Sequence, residues 1–326
     1  MGEGLDEGRW VKGKKELLLW ETRIENRIVR LYNGYTMRMP TAYLEGEKLP
    51  RVIFSIKASG HQEILALMKK AYEMGAWSFD LPSSKHLESF KELKHFTDDE
   101  TLIGLGHLDA EEGASFFGRP LHQFESKVVS TIKRNIIPPQ IHHLFSGPKT
   151  SEIFTQKETD RISFDTLRFE KALSRFDPQL SPFLLLGEKY SDWLLALGRI
   201  DLLKEMVEKV RGKSFIPIFS GQWATFILPK AKPLDVAAFA VPINKRWSYF
   251  DLTHACDRIK KFDKPVISLN PLADGQLLRE AEEAFLFLFE GLKIHSAIVE
   301  VASEEEVKRI FAALEKIPSL IPPRKA

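Results

Sequence analysis

Short apolar runs alternate with longer segments of helical spacing along most of this chain, the pattern of parallel strands joined by crossover helices. A first strand is predicted over Arg51 to Lys57 (RVIFSIK). Gly60 and His61 lead into a helix over Gln62 to Met74, where Ile64, Leu65, Leu67, Met68 and Tyr72 form one apolar stripe. A second strand over Ala76 to Leu81 (AWSFDL) is followed by a helix over Ser84 to Leu93 with serine caps at its start. The third strand is Thr101 to His107 (TLIGLGH), and Leu121 to Asn135 reads as the next helix. Two stretches compete for the fourth strand: Gln140 to Phe145 (QIHHLF), after Pro138 and Pro139, and Pro182 to Gly187 (PFLLLG). Between them, over 146–181, periodicity weakens, and a helix over Ser163 to Arg175 reads as an insertion.

The second half is more regular. Strands are predicted at Ser214 to Ser220, Asp235 to Val241, Pro265 to Asn270 and Ser296 to Val301. Helices are predicted at Ser191 to Val210, Asp251 to Phe262, Leu277 to Leu292 and Ser303 to Ile317. That makes eight strands, or nine if both middle candidates count. No G-x-G-x-x-G stands at a strand–helix turn, so an α/β (β/α)₈ TIM barrel fits better than an open doubly wound sheet. The 326 residues suit one such domain spanning 1–326. Within a 1–45 extension, Glu16 to Tyr32 alternates around Glu25-Asn26, which predicts a β-hairpin capping the N-terminal end of the barrel. The closing PPRKA is expected to fray.

Composition narrows the partners. With 44% hydrophobic and 28% charged residues the chain can bury a full core, and a net charge of +2 gives no field that would draw nucleic acid or an anionic membrane. The N-terminal LLL run and AFLFLF at 284–289 are too short for a signal core or a membrane span, which points to the cytoplasm. The lone Cys256 sits in a helical pattern, where a cysteine acts as a small hydrophobe. The expected partner is a small-molecule ligand at the C-terminal mouth; a second copy of the chain stays open.

Barrel chemistry sits at the C-terminal ends of strands. The polar residues there are Lys57, Ser59, Asp80, His107, Asp109, His142 or His143, Ser220, Gln222, Asn244, Asn270 and Glu300. His107 and Asp109 share one face of an extended segment and, with Asp80 or His143, could ligate a divalent metal in a hydrolase or isomerase; the blander reading is a histidine bonded to a loop carboxylate. Lys57 could form a Schiff base only if burial depressed its pKa; the alternative is a lysine reaching solvent. Phe116, Phe117 and Trp223 to Phe226 follow predicted strands and suit a pocket mouth or a subunit contact, as in a non-catalytic binding scaffold.

From Ser214 onward the spacing becomes specific: a strand ending in Ser220-Gly221, then PLDVAAFAVPIN (233–244), KPVISLNPLADG (264–275) and AIVEVASEEEVKRIFAAL (297–314). This resembles the aldo/keto reductases, with Ile267, Pro271, Leu272, Ala273, Gly275, Ser303 and Glu306 at matching places. Upstream, AYEMGAWSFDLP (71–82) is similar to the family strand that carries a catalytic aspartate, Asp80 here. The resemblance implies an oxidoreductase that binds NADP through Ser220, Gln222, Asn270, Leu272 and Ser303, with Asp80, His107 and His143 at the chemistry. The tetrad the family uses is not retained: no tyrosine follows Asp80, His107 stands where a lysine is expected, and Val241 replaces a stacking tyrosine. Glu300 and Glu304 to Glu306 also crowd the phosphate's place, and Ser303 with Glu306 spells a capping box that needs no ligand. Asp80 is expected to orient or accept a proton, with His107 as general acid or base.

Overall fold

The computed structural model describes residues 39–136, 153–247, 251–317 and 320. A hairpin of β1 (Thr41–Leu44) and β2 (Glu47–Pro50) comes first, turning through Glu45 and Gly46, both at positive φ, the conformation of a two-residue hairpin loop whose twist matches its strands. It lies later than the hairpin predicted over Glu16 to Tyr32, which falls outside the described residues. The alternation TAYL/EKLP carries the hairpin signal, since Leu44 and Leu49 face inward while Thr41, Tyr43, Glu47 and Lys48 are exposed.

Barrel strands and helices then alternate: β3 (Val52–Ile56), α1 (His61–Glu73), β4 (Ser78–Leu81), α2 (Ser84–Thr97) and β5 (Ile103–Asp109). After β5 the chain leaves the barrel. It forms a small antiparallel sheet of β6 (Ala114–Phe116), β7 (Arg119–Pro120) and β8 (Ile162–Phe164), with α3 (Glu125–Ile136), α4 (Gln156–Thr159) and α5 (Thr166–Leu173) around it. The excursion thus starts at Ala110, earlier than the 146–181 insertion predicted from weak periodicity. Its expected helix Ser163 to Arg175 is shortened by β8. The Arg168 guanidinium pins this module, donating to the backbone carbonyls of Glu111, Glu112 and Ala114.

The chain re-enters at β9 (Phe183–Gly187) and continues through α6 (Lys189–Ala196), α7 (Ile200–Gly212), β10 (Ile216–Ser220), α8 (Ala224–Ala231), β11 (Ala238–Pro242), α9 (Leu252–Lys260), β12 (Val266–Leu269), α10 (Ala281–Leu286), β13 (Ser296–Val301) and α11 (Glu304–Leu314). The single helix expected over Ser191 to Val210 is two, because Gly198 adopts φ 78° between them. β9 pairs with both β5 and β10 and is the fourth barrel strand; the rival stretch Gln140 to Phe145 lies outside the described residues.

β13 pairs with β3 and closes eight parallel strands into a barrel. Carried once round, the register starting at Ile53 returns eight residues earlier, at position 45, the shear of a (β/α)₈ barrel. Ile53, Leu105, Leu185, Ile218, Ile267 and Ile298 fill the interior, and Leu44 and Leu49 of the hairpin join them from the N-terminal end. The barrel is therefore packed solid below its mouth.

Gly106 marks where the excursion meets the barrel wall. A Cβ at Gly106 would fall 2.6 Å from Leu184 Cδ2 and 2.7 Å from Phe176 Cδ1, so the short stretch after α5 packs its phenylalanine directly on β5. Gly106→Ala is expected to destabilise the fold by about 1–3 kcal/mol through overpacking. Chemical denaturation should show a lower midpoint at unchanged slope, and an unchanged midpoint would mean that Phe176 does not pack there.

Candidate active site

Alternation along the strands dictates which side chains enter the mouth. On β3, Ile53 faces the core, so Ser55 faces inward one layer higher; on β4 the register partner of Ser55 is Asp80. On β5, Leu105 is a core residue and the partner of Asp80, which places His107 two residues further toward the mouth on the same face. Three adjacent strands therefore deliver a hydroxyl, a carboxylate and an imidazole to one place.

Ser55 Oγ donates to Asp80 Oδ2 at 2.7 Å, and Asp80 Oδ1 takes a hydrogen bond from His107 Nε2. The other ring nitrogen, Nδ1, is 2.9 Å from Oε1 of Glu188, the residue that follows β9. Asp80 is almost wholly buried, the His107 side chain is 16% exposed and that of Glu188 is 45% exposed. An imidazole with carboxylates at both nitrogens is stable as the cation, because each N–H has an acceptor and each acceptor is charged. Burial alone would lower the His107 pKa, but the charge and hydrogen bond of Asp80, then those of Glu188, outweigh it and raise it to about 10.

Sequence reasoning named Asp80 and His107 and missed Glu188 and Ser55. His143, the third expected catalytic residue, lies outside the described residues. The sequence signal for Glu188 is its place directly after PFLLLG, which marks a strand end only if that run, and not Gln140 to Phe145, is the fourth strand. Ser55 was legible only once the register with β4 was known.

Asp109 is not paired with His107. Its Oδ1 accepts from Glu111 N at 2.8 Å and caps the 3₁₀ turn Ala110–Gly113. Burial, with Glu188, Glu111 and Glu112 nearby, pushes its pKa up to about 7 against the opposing hydrogen bond. With both nitrogens of His107 engaged by carboxylates, no group of three or more metal-ligating side chains is found among the described residues. Lys57 is 64% exposed and bonded to Glu300 Oε2 at 3.1 Å, and that hydrogen bond raises its pKa, the wrong direction for a Schiff-base nucleophile. Phe116 is buried against Phe124 and Phe154, while Phe117 is exposed at the tip of the β6–β7 turn.

Several of the residues expected to hold a dinucleotide are engaged in local structure. Ser303 Oγ accepts from Glu306 N and the Glu306 carboxylate accepts from Ala302 N, one residue before the cap and not the Ser303 N of a full capping box, so the α11 start is closed by its own side chains. Glu304 and Glu305 fill the rest of that turn and pair with Lys308 and Arg309, and Lys57 across the same cavity is paired with Glu300, so carboxylates surround the place a phosphate would take. Asn270 is bonded reciprocally to Asp274, and Leu272 is buried. Ser220 is fully buried, and the Gln222 backbone N–H is held by Asp192 Oδ2 at 2.7 Å. These residues do not fit the phosphates of a nicotinamide dinucleotide. An open cavity of about 1000 Å³ adjoins the end of β3, lined by Ser55, Lys57, Lys70, His86, Glu300 and Ser303, and reaches the buried chain through the Ser55 hydroxyl.

No family profile and no curated protein matches this chain. Solved structures do. An aldo-keto reductase from Bacillus halodurans in its holo form is 14% identical, with a TM-score of 0.54 over 86% of this chain and 92% of that one. A thermostable aldo-keto reductase in complex with the inhibitor epalrestat is 13% identical, with a TM-score of 0.53 over 85% and 94%. An aldo/keto reductase from Brucella melitensis is 12% identical, with a TM-score of 0.50 over 85% and 92%. At this identity the likeness is one of fold: the chain forms a distant aldo/keto-reductase-like (β/α)₈ barrel.

Proposed function

We propose that this protein is an enzyme of the aldo/keto-reductase-like barrel type whose mouth moves a proton to or from the oxygen of a small carbonyl or hydroxyl compound. The observation that carries the reading is the Asp80–His107–Glu188 chain across three neighbouring strands. Asp80, fixed by Ser55, sets the ring's orientation and keeps it cationic. His107 holds the proton facing Glu188, and the half-exposed Glu188 carboxylate joins the buried pair to the mouth. The acid–base group thus comes from histidine and glutamate, where the resembling family uses a tyrosine and a lysine. The likeness in fold suggests carbonyl reduction with a nicotinamide dinucleotide, but the closed α11 start does not suit one.

The charge state of His107 is the direct test. Imidazole nitrogen resonances should show His107 protonated at both nitrogens at pH 8 and titrating near 10. Asp80→Asn should bring the midpoint down by about 1–3 pH units, since an opposite charge in contact has been removed. A neutral ring at pH 8 in the unaltered protein would sink the reading. The folded pKa lies above the unfolded value of about 6.5, so the native state binds the extra proton. The stabilisation from this chain is fully present below pH 6.5 and is lost as pH rises through about 10.

A thermal-shift titration with NADPH, NADH and divalent metals separates the rival chemistries, because a ligand that binds only the folded state raises its melting temperature. No saturable shift is expected with any of them. A saturable shift with NADPH would favour the reductase reaction, and one with a metal alone the hydrolase alternative.

A further inference from the structure

The turn from β9 into α6 holds one residue in a backbone conformation that costs energy. Glu188 has φ 65° and ψ −140°, a combination adopted almost only by glycine. Gly187 before it has φ 136°, and a Cβ there would lie 2.2 Å from the Ser220 carbonyl oxygen, so the glycine is what lets this corner close on β10. Three contacts then fix the corner. Glu188 N donates to Ser220 O at 3.1 Å, and Ser191 Oγ stands 2.6 Å from both Glu188 O and Ser220 O.

Packing over-determines the conformation, which is the condition under which such strain persists. Its product is a carboxylate aimed at the mouth, one oxygen on His107 and the side chain nearly half exposed. Glycine at this position would satisfy the backbone without strain. Stability does not account for the glutamate: His107 already has Asp80, and an ion pair to a half-exposed carboxylate contributes less than the strain costs. A second carboxylate beside Asp109 also adds repulsion.

We propose that Glu188 is the residue of this site that touches the substrate, a general base and acid presented on the strained corner with His107 and Asp80 behind it. The assignment rests on the proton-transfer reading above. In the forward step the substrate proton bonds to the outer Glu188 oxygen, the electron pair stays on the substrate atom, and the same oxygen returns the proton at the end of the cycle. His107 keeps both of its N–H groups throughout and positions the carboxylate through Oε1.

Labelling with glycidol, a small neutral epoxide, tests this on the full chain. The attacking carboxylate oxygen forms an ester bond to a ring carbon, the ring C–O bond breaks, and the ring oxygen takes the proton of a neighbouring acid or of water. Peptide mapping by mass spectrometry should find Glu188 modified on the order of tenfold faster than exposed carboxylates such as Glu47, with no ester at position 188 in Glu188→Gln. Alongside, Glu188→Gly should melt at a higher temperature than Glu188→Ala, the reverse of the usual order, because only glycine relieves the strain. Labelling no faster than at Glu47, or a glycine variant that melts below the alanine one, overturns the proposal. If His107 is nevertheless protonated at pH 8, the proton-transfer reading survives that failure; a neutral His107 would remove that reading itself.

Discussion

A buried imidazole that finds a carboxylate at each of its nitrogens ties β4, β5 and the corner after β9 into one unit, and the mouth of the barrel is arranged around it. Either carboxylate alone would hold the ring in one orientation; the two together hold it in one charge state as well. The arrangement draws on ordinary barrel geometry. Register places Asp80 opposite Leu105, pleating places His107 one layer above, and the barrel's stagger brings the end of β9 level with the end of β5. Losing either alignment of Asp80 with His107 would leave the Asp80 carboxylate buried without its cation, which is far costlier than losing a surface pair.

The two sides of the mouth are built in opposite ways. On the side of β4, β5 and β9, polar groups are buried, aimed inward and mutually dependent. On the side of β12, β13 and α11, the groups that a phosphate would need are spent on local structure: Ser303 and Glu306 cap a helix, and Asn270 closes a turn with Asp274. The sequence segments that resemble the aldo/keto reductases lie mostly on this second side. They report how the strand and helix ends are built more than what they bind.

Periodicity made the barrel legible, since a shift of one residue would turn every inward side chain outward and each apolar run therefore carries its own register. Val52–Ile56, Phe183–Gly187 and Ser296–Val301 sit almost where the pattern puts them. The excursion from Ala110 to Ser181 was poorly legible because its order comes from contacts distant in sequence, such as Arg168 reaching the carbonyls of Glu111 to Ala114. Asp80 and His107 could be read from strand-end position. Glu188 could not, since its importance depends on a backbone angle and on which of two apolar runs is the fourth strand. The pairing of His107 with Asp109 failed because Asp109 is drawn to the nearer donor, the Glu111 N–H.

The hairpin beneath the barrel has a kinetic consequence. Leu44 and Leu49 seal the end opposite the mouth, and the interior between is filled with aliphatic side chains. Among the described residues the filled interior offers no passage through the barrel, so a molecule that enters at the mouth leaves by the mouth, and the arrival of one competes with the departure of another for the same space.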